Sequence, residues 1–217
     1  MGLSILAASD SELVGWMPVE NADPGALTST ERKAIAGAIP KRRAEYAAVR
    51  QVARALIGEL GYASVGILNG PGREPIFPTG IVGSLSHSEK FALAVVAREQ
   101  AVGAVGCDVE PLLALPEGTV QLILTPDESR FVASQPAWYG RLVFSVKEAF
   151  HKAQFGLTRM TPGFTDVQVT FDRNFEKVEV VTLIDIGPIP GGRTFEGRVR
   201  LVEDHMMTRV RIDRCYF

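Results

Sequence analysis

Val102-Gly103-Ala104-Val105-Gly106-Cys107-Asp108-Val109-Glu110-Pro111 alternates along its length with the two-residue period of a β-strand, and Pro111 ends it. Alternate residues of a strand share a face. Asp108 and Glu110 therefore point the same way, about 6–7 Å apart along the chain, while Val105, Cys107 and Val109 face a core. Two carboxylates side by side repel one another unless a cation or a shared proton separates them. Pro111 puts the pair at a sheet edge or mouth. Asp-x-Glu taken alone describes a solvated strand face equally well. Upstream, Phe91 to Ala97 is a continuous apolar run of strand length. The two strands are expected to pair as neighbours through a turn near Arg98–Gln100.

Thr28 with Glu31 three positions on is a capping-box pattern, so a short helix is expected to begin there and end before Pro40. Residues 18–30 read as surface loop. From about Arg42 to Leu60, Tyr46, Val49, Ala53, Leu56 and Leu60 recur at helical spacing, with Gly61 where a helix end is capped. Gly66 to Gly83 is Gly- and Pro-rich and reads as loop.

Residues 111–126 are apolar but irregular, and Thr125 with Glu128 forms a second capping box. A helix is expected over Leu142–Phe155, closed by Gly156. Strands follow at Val167–Phe171, Val178–Ile184, Phe195–Val202 and Met207–Ile212, antiparallel given their short connections. The class is α+β.

The chain has 217 residues with 23 basic and 25 acidic side chains, so no overall basic field draws it to nucleic acid. Local basic clusters suit a small anionic ligand instead. Two cysteines, Cys107 and Cys215, are too few for a disulfide framework and fit a reducing cytosol. Leu3–Ala8 is a short apolar run with no basic residue before it, unlike a signal peptide, and no stretch approaches a membrane span. A soluble, cytoplasmic protein is expected.

Four constellations carry chemistry. The Asp108/Glu110 strand is the first. The second is Phe144-Ser145-Val146-Lys147-Glu148-Ala149-Phe150-His151-Lys152, where Glu148 and Lys152 fall four apart on one helical face with Lys147 and His151 alongside. That spacing also describes a surface ion pair. A third carboxylate beside basic groups nevertheless suits a metal–phosphate site, because Mg²⁺ takes a few carboxylates, waters and phosphate oxygens. The third is Gly83-Ser84-Leu85-Ser86-His87-Ser88, whose hydroxyls, backbone N–H groups and imidazole are what a loop needs to hold a phosphate monoester. The fourth is a helical stripe of Arg43, Arg50 and Arg54, with Arg42 near its start and Arg73 following in Gly72-Arg73-Glu74-Pro75. Guanidinium groups bind phosphate bidentately, though such a stripe is also an ordinary solvated face. There is no GxGxxG after a strand, no Walker loop, no zinc spacing and no nucleophile elbow. His205 reads as structural or exposed.

Taken in this order, the pieces resemble the Sfp-like phosphopantetheinyl transferases, particularly the branch that includes the enterobactin-synthase component. The matching stretches are Arg42–Arg54, Gly72–Pro75, Ser84–His87, Gly106–Glu110 and Phe144–Lys152, spread over about half the chain. Departures fall at packing positions: Cys107, Val146, Phe77, Val49 and His151.

The resemblance implies two similar α/β lobes related by a pseudo-twofold, 1–102 and 103–217, with coenzyme A in the cleft between them. It implies attack by the serine hydroxyl of an apo acyl, peptidyl or aryl carrier protein on the pantetheine-side phosphorus, releasing adenosine 3′,5′-bisphosphate. It makes Asp108, Glu110 and Glu148 ligands of Mg²⁺. Arg42, Arg50, Arg73, Ser86, His87, Lys147 and Lys152 become the coenzyme A contacts, with Asp108, Glu148 and Lys152 catalytic. The base is either Glu148 or a metal-bound water. Single-chain action is the implied oligomeric state, and the carrier's pathway (siderophore, polyketide, nonribosomal peptide or fatty acid) stays open. Two other readings fit the same residues: a Mg²⁺-dependent hydrolase of nucleotide pyrophosphates, and a coenzyme A-binding protein without catalysis. The apolar segment Leu112–Leu124 is expected to form the carrier-docking patch or to close the core between lobes.

Overall fold

The computed structural model describes residues 2–214; Cys215 lies outside them. Sheet one takes β1 (Ser4–Ser9), β2 (Glu12–Pro18), β3 (Ile81–His87) and β4 (Phe91–Arg98), in the antiparallel order β1-β2-β4-β3. Sheet two takes β5 (Ala104–Pro111), β6 (Val167–Phe171), β7 (Lys177–Thr182), β8 (Thr194–Val202) and β9 (His205–Ile212), in the order β5-β9-β8-β7-β6. The mixed helix and sheet content is that of an α+β protein.

The expected pairing of the Phe91 and Val102 strands does not form. β4 pairs with β2 and β3, whereas β5 pairs with β9. At Arg98–Gly103 the chain leaves one sheet for the other instead of turning back as a hairpin. β4 is apolar and buried from Phe91 to Ala97 because sheet one is covered on both faces there.

Helix α1 (Ser29–Ala34) starts with the Thr28/Glu31 capping box, and α2 (Pro40–Glu59) begins with Pro40 in its first turn. The buried stripe of α2, including Val49, Val52, Ala53 and Leu56, packs on Met17, Ala92, Ala94 and Val96 of sheet one. The opposite face of that sheet, through Trp16, Leu93 and Val95, meets Val105, Cys107, Val109 and Met207 of sheet two.

In the second half, α3 (Val120–Ile123) is a single turn and α4 (Pro126–Val132) opens with the Thr125/Glu128 capping box. The long α5 (Tyr139–Thr158) lays Leu142, Val146 and Phe150 on the remaining face of sheet two. Wholly buried Phe150 alone removes apolar surface worth roughly 1.5–3 kcal/mol.

Three further expectations change. The N-terminal apolar run, given no element from the sequence, forms β1 of the β1–β2 hairpin. Gly156 does not close α5; the helix continues to Thr158 and is capped by Arg159 in the left-handed region, φ 57°. Ser84–His87 is strand rather than loop. No helix among the described residues is long and apolar enough to cross a membrane.

Candidate active site

The seam between the sheets is where β3, β5 and α5 meet. Gly106 makes the approach possible: a Cβ there would lie 1.8 Å from the Ala149 carbonyl oxygen, so only glycine lets α5 rest on β5. That close packing brings the Glu148/Lys152 face of α5 beside Asp108.

Asp108 is buried and its carboxylate is fully engaged. Oδ1 accepts from Lys152 Nζ (2.7 Å) and Ser86 Oγ (2.8 Å), and Oδ2 accepts from Ser145 Oγ (3.0 Å). Ser145 is in turn 2.8 Å from the Thr208 hydroxyl of β9. Lys152 also donates to the Cys107 carbonyl at 3.1 Å. Burial is the largest single influence and disfavours its charge, but the Asp108 charge and hydrogen bond, with Cys107 and Glu148 adding to them, together raise the ammonium pKa, so Lys152 stays protonated at neutral pH.

Glu110 accepts from Arg141 at 2.7 Å; burial lifts its carboxyl above the ordinary range, Arg141 opposes, and Asp108 adds to the rise. Glu148 has no hydrogen-bond partner among the described residues. Burial raises its pKa, Lys152 works against the rise, and the Asp108 and Glu110 charges add to it.

On the opposite wall, His87 ends β3. Its Nε2 bonds to Arg42, and its Nδ1 lies 3.7 Å from Glu45. Burial holds this imidazole below its ordinary pKa; Glu45 counteracts, while Arg42 and Lys152 reinforce the fall, leaving it neutral at pH 7. Arg50 is buried, donating to the Ile67 carbonyl (3.1 Å) and the Asn69 side chain (2.7 Å) with its guanidinium over the Tyr46 ring. Arg73 sits in the left-handed region, φ 67°, an uncommon conformation for a non-glycine residue.

Arg42, Arg50, Asn69, Arg73, Ser86, His87, Asp108 and Lys152 line one cleft of about 290 Å³. An adjoining cavity of about 690 Å³ shares Arg73 and Lys152 with it and adds Glu148 and His151. His151 packs tilted against the Phe164 ring, and burial pushes its pKa down to about 4. Burial pushes the Cys107 thiol up to about 12, so it is no nucleophile at neutral pH.

Two expectations are corrected. Lys147 does not reach the cleft. One helical position from Glu148, it points into the lobe, where its ammonium donates to Glu128 (2.6 Å) and to the Ile123 and Phe164 carbonyls (2.9 and 2.8 Å). The arginine stripe is also divided: Arg54 is taken by buried Glu31 and Arg43 by the Ala38 carbonyl, which leaves Arg42 and Arg50 for the cleft.

Asp108, Glu110 and Glu148 are neighbours but are not drawn together as a metal cluster. Among the described residues no group of three such side chains is placed to hold an ion. The reason is charge: Lys152 and two hydroxyls occupy Asp108, and Arg141 occupies Glu110. The donor chemistry still fits a divalent cation, since all three side chains offer oxygens and, beyond the burial that raises the Glu110 and Glu148 pKa values, the neighbouring carboxylate charges add to both rises.

Ser145 lay within a quoted motif, marked by a hydroxyl in an apolar helix. Arg141, Asn69, Glu45 and Thr208 carried no local signal, because tertiary packing alone places them here.

This cleft gathers arginines, a histidine and a paired carboxylate and lysine, and guanidinium and ammonium groups are the ones that bind phosphate. A family profile described as 4′-phosphopantetheinyl transferase N-terminal domain matches residues 30–97, and one for the 4′-phosphopantetheinyl transferase superfamily matches 104–185. The chain is 34% identical over 215 residues to the 4′-phosphopantetheinyl transferase Svp of Streptomyces mobaraensis, covering 92% of this chain and 87% of Svp. It is 40% identical over 174 residues to PptT of Mycobacterium tuberculosis, covering 78% and 76%. Enterobactin synthase component D of Salmonella typhi is 34% identical over 136 residues, covering 60% and 55%. The chain belongs to the 4′-phosphopantetheinyl transferase family. It is a transferase that moves the phosphopantetheine group of coenzyme A to a carrier protein.

Proposed function

We propose that coenzyme A lies with its phosphates in the 290 Å³ cleft and its pantetheine arm toward the adjoining cavity, and that transfer depends on Mg²⁺. The observation that carries the reading is the convergence of Arg42, Arg50, Arg73, Ser86, His87 and Lys152 around Asp108. Residues 1–102 and 103–217 would act as the two lobes flanking the seam, related by a pseudo-twofold. The protein works as a single chain in the cytoplasm, the compartment that holds coenzyme A.

Phosphoryl transfer asks a protein for positioning and charge neutralisation. Asp108, Glu110 and Glu148 offer oxygens to Mg²⁺, which supplies charge neutralisation at the pyrophosphate when bound. Lys152, held charged by Asp108, faces the same phosphates. His87 and Arg42 receive the 3′-phosphate. Glu148, which has no hydrogen-bond partner among the described residues, takes the proton of the attacking serine through the carboxylate oxygen it does not offer to the ion. The serine oxygen then forms the new bond to the pantetheine-side phosphorus. The bond to the bridging oxygen breaks, and adenosine 3′,5′-bisphosphate leaves.

The test is the rate of adenosine 3′,5′-bisphosphate release with an apo carrier, as a function of Mg²⁺ and pH. Wild type should stop on chelation and recover with Mg²⁺. Glu148→Gln should lose about 10²–10⁴-fold in kcat with little change in KM for coenzyme A. An unaltered rate in chelator, or in Glu148→Gln, contradicts the respective assignment.

A further inference from the structure

A second cavity, of about 750 Å³, shares no lining residue with the cleft just described. It forms where β7 begins at Lys177, opposite Arg198, while β8 runs on to Val202 and leaves a free edge under the overhanging β1–β2 hairpin. Its size falls within the roughly 300–1,000 Å³ of small-molecule sites.

Its walls are aromatic and cationic. Trp16, Trp138, Tyr139 and Phe175 supply flat apolar surface, with Trp138 and Tyr139 ring centres 4.3 Å apart. Trp16 is only 8% exposed, and its indole N–H is buried without an acceptor among the described residues. Arg198, Arg200 and Arg209 face one acidic lining residue, Glu176. Arg209 is taken by buried Glu12, and Arg200 lies 5.8 Å from the centre of the Trp16 ring. Arg198 stands in cross-strand register between Lys177 and Arg209, and it has no carboxylate partner among the described residues. Like charges directly opposite on a sheet destabilise it. An anion in the cavity beside Arg198 offsets that repulsion.

We infer that this cavity is a second ligand site, separate from the catalytic cleft, for a small amphipathic anion: an aromatic or aliphatic body bearing one acidic group. The rings of Trp16 and Trp138 cover the body, and Arg198 and Arg200 meet the charge. The chain has two tryptophans, Trp16 and Trp138, and both line this cavity, so its intrinsic fluorescence reads this site.

The experiment titrates the whole protein with 8-anilinonaphthalene-1-sulfonate and, separately, with uncharged N-phenyl-1-naphthylamine, following tryptophan emission with and without saturating coenzyme A. The sulfonate should quench saturably and bind about tenfold more tightly than the neutral dye, the effect of one charge-assisted contact. The Arg198→Ala/Arg200→Ala variant should lose most of that difference while its transferase activity stays normal. Glu176→Lys should tighten sulfonate binding, and it tests the inference even if the arginine variant fails to fold. Equal binding of the two dyes would mean a plain apolar crevice. Displacement of the sulfonate by coenzyme A would mean that the dye occupies the catalytic cleft. Either result, or an arginine variant that binds like wild type, overturns the inference.

Discussion

Replacing Lys147 by methionine removes an ammonium that is wholly buried and makes three hydrogen bonds, to Glu128 and two main-chain carbonyls. The Glu128 carboxylate, equally buried, keeps its Thr125 and Val169 amide donors but loses its counter-charge. Breaking one side of a buried ion pair costs about 3–5 kcal/mol. For a domain of this length, that lowers the melting temperature by roughly 6–20 °C. The folded fraction should keep its KM for coenzyme A, because Lys147 lies outside the cleft. Lys152→Met should also lose stability, since it strips buried Asp108 of its counter-charge, but its side chain lines the cleft, so unlike Lys147→Met it should lose catalysis as well. Thermal melts with steady-state kinetics on both variants separate the two lysines. A Lys147→Met protein that melts within about 2 °C of wild type yet shows a tenfold higher KM would refute the argument.

Gly106→Ala should be severely destabilised or insoluble, because its Cβ would collide with the Ala149 backbone; a normal melting curve would show that α5 does not rest on β5. His87→Ala should raise the KM for coenzyme A about tenfold and erase the preference over dephospho-coenzyme A, measured by competition. Burial lowers the His87 pKa, and a bound phosphate favours the imidazolium. Coenzyme A affinity should therefore rise as pH falls from 8 through the ordinary histidine range, and His87→Gln should flatten that slope relative to wild type.

What could be read from the sequence was local. The α2 stripe, both capping boxes and the shared face of Asp108 and Glu110 each depend on residues within a few positions, and each formed as expected. The pairing of β5 was not readable, since its partner β9 lies about a hundred residues on and a short turn after β4 imitates a hairpin. Ser84–His87 looked like loop because glycine and serine are poor strand formers. Gly83 is there for space: a Cβ would lie 2.5 Å from the Phe77 ring and 2.8 Å from the Val95 carbonyl. In the site, Glu148 and Lys152 were legible from their i,i+4 spacing. Lys147 was not, because helical periodicity does not say that Glu128 waits inside the lobe.

The central claim is tested most directly by the intact mass of an apo carrier protein incubated with this protein, coenzyme A and Mg²⁺. The account predicts a gain of one phosphopantetheine on the carrier serine, absent in chelator and nearly absent with Glu148→Gln. A carrier of unchanged mass across a panel of carriers, with free phosphopantetheine accumulating instead, would contradict it.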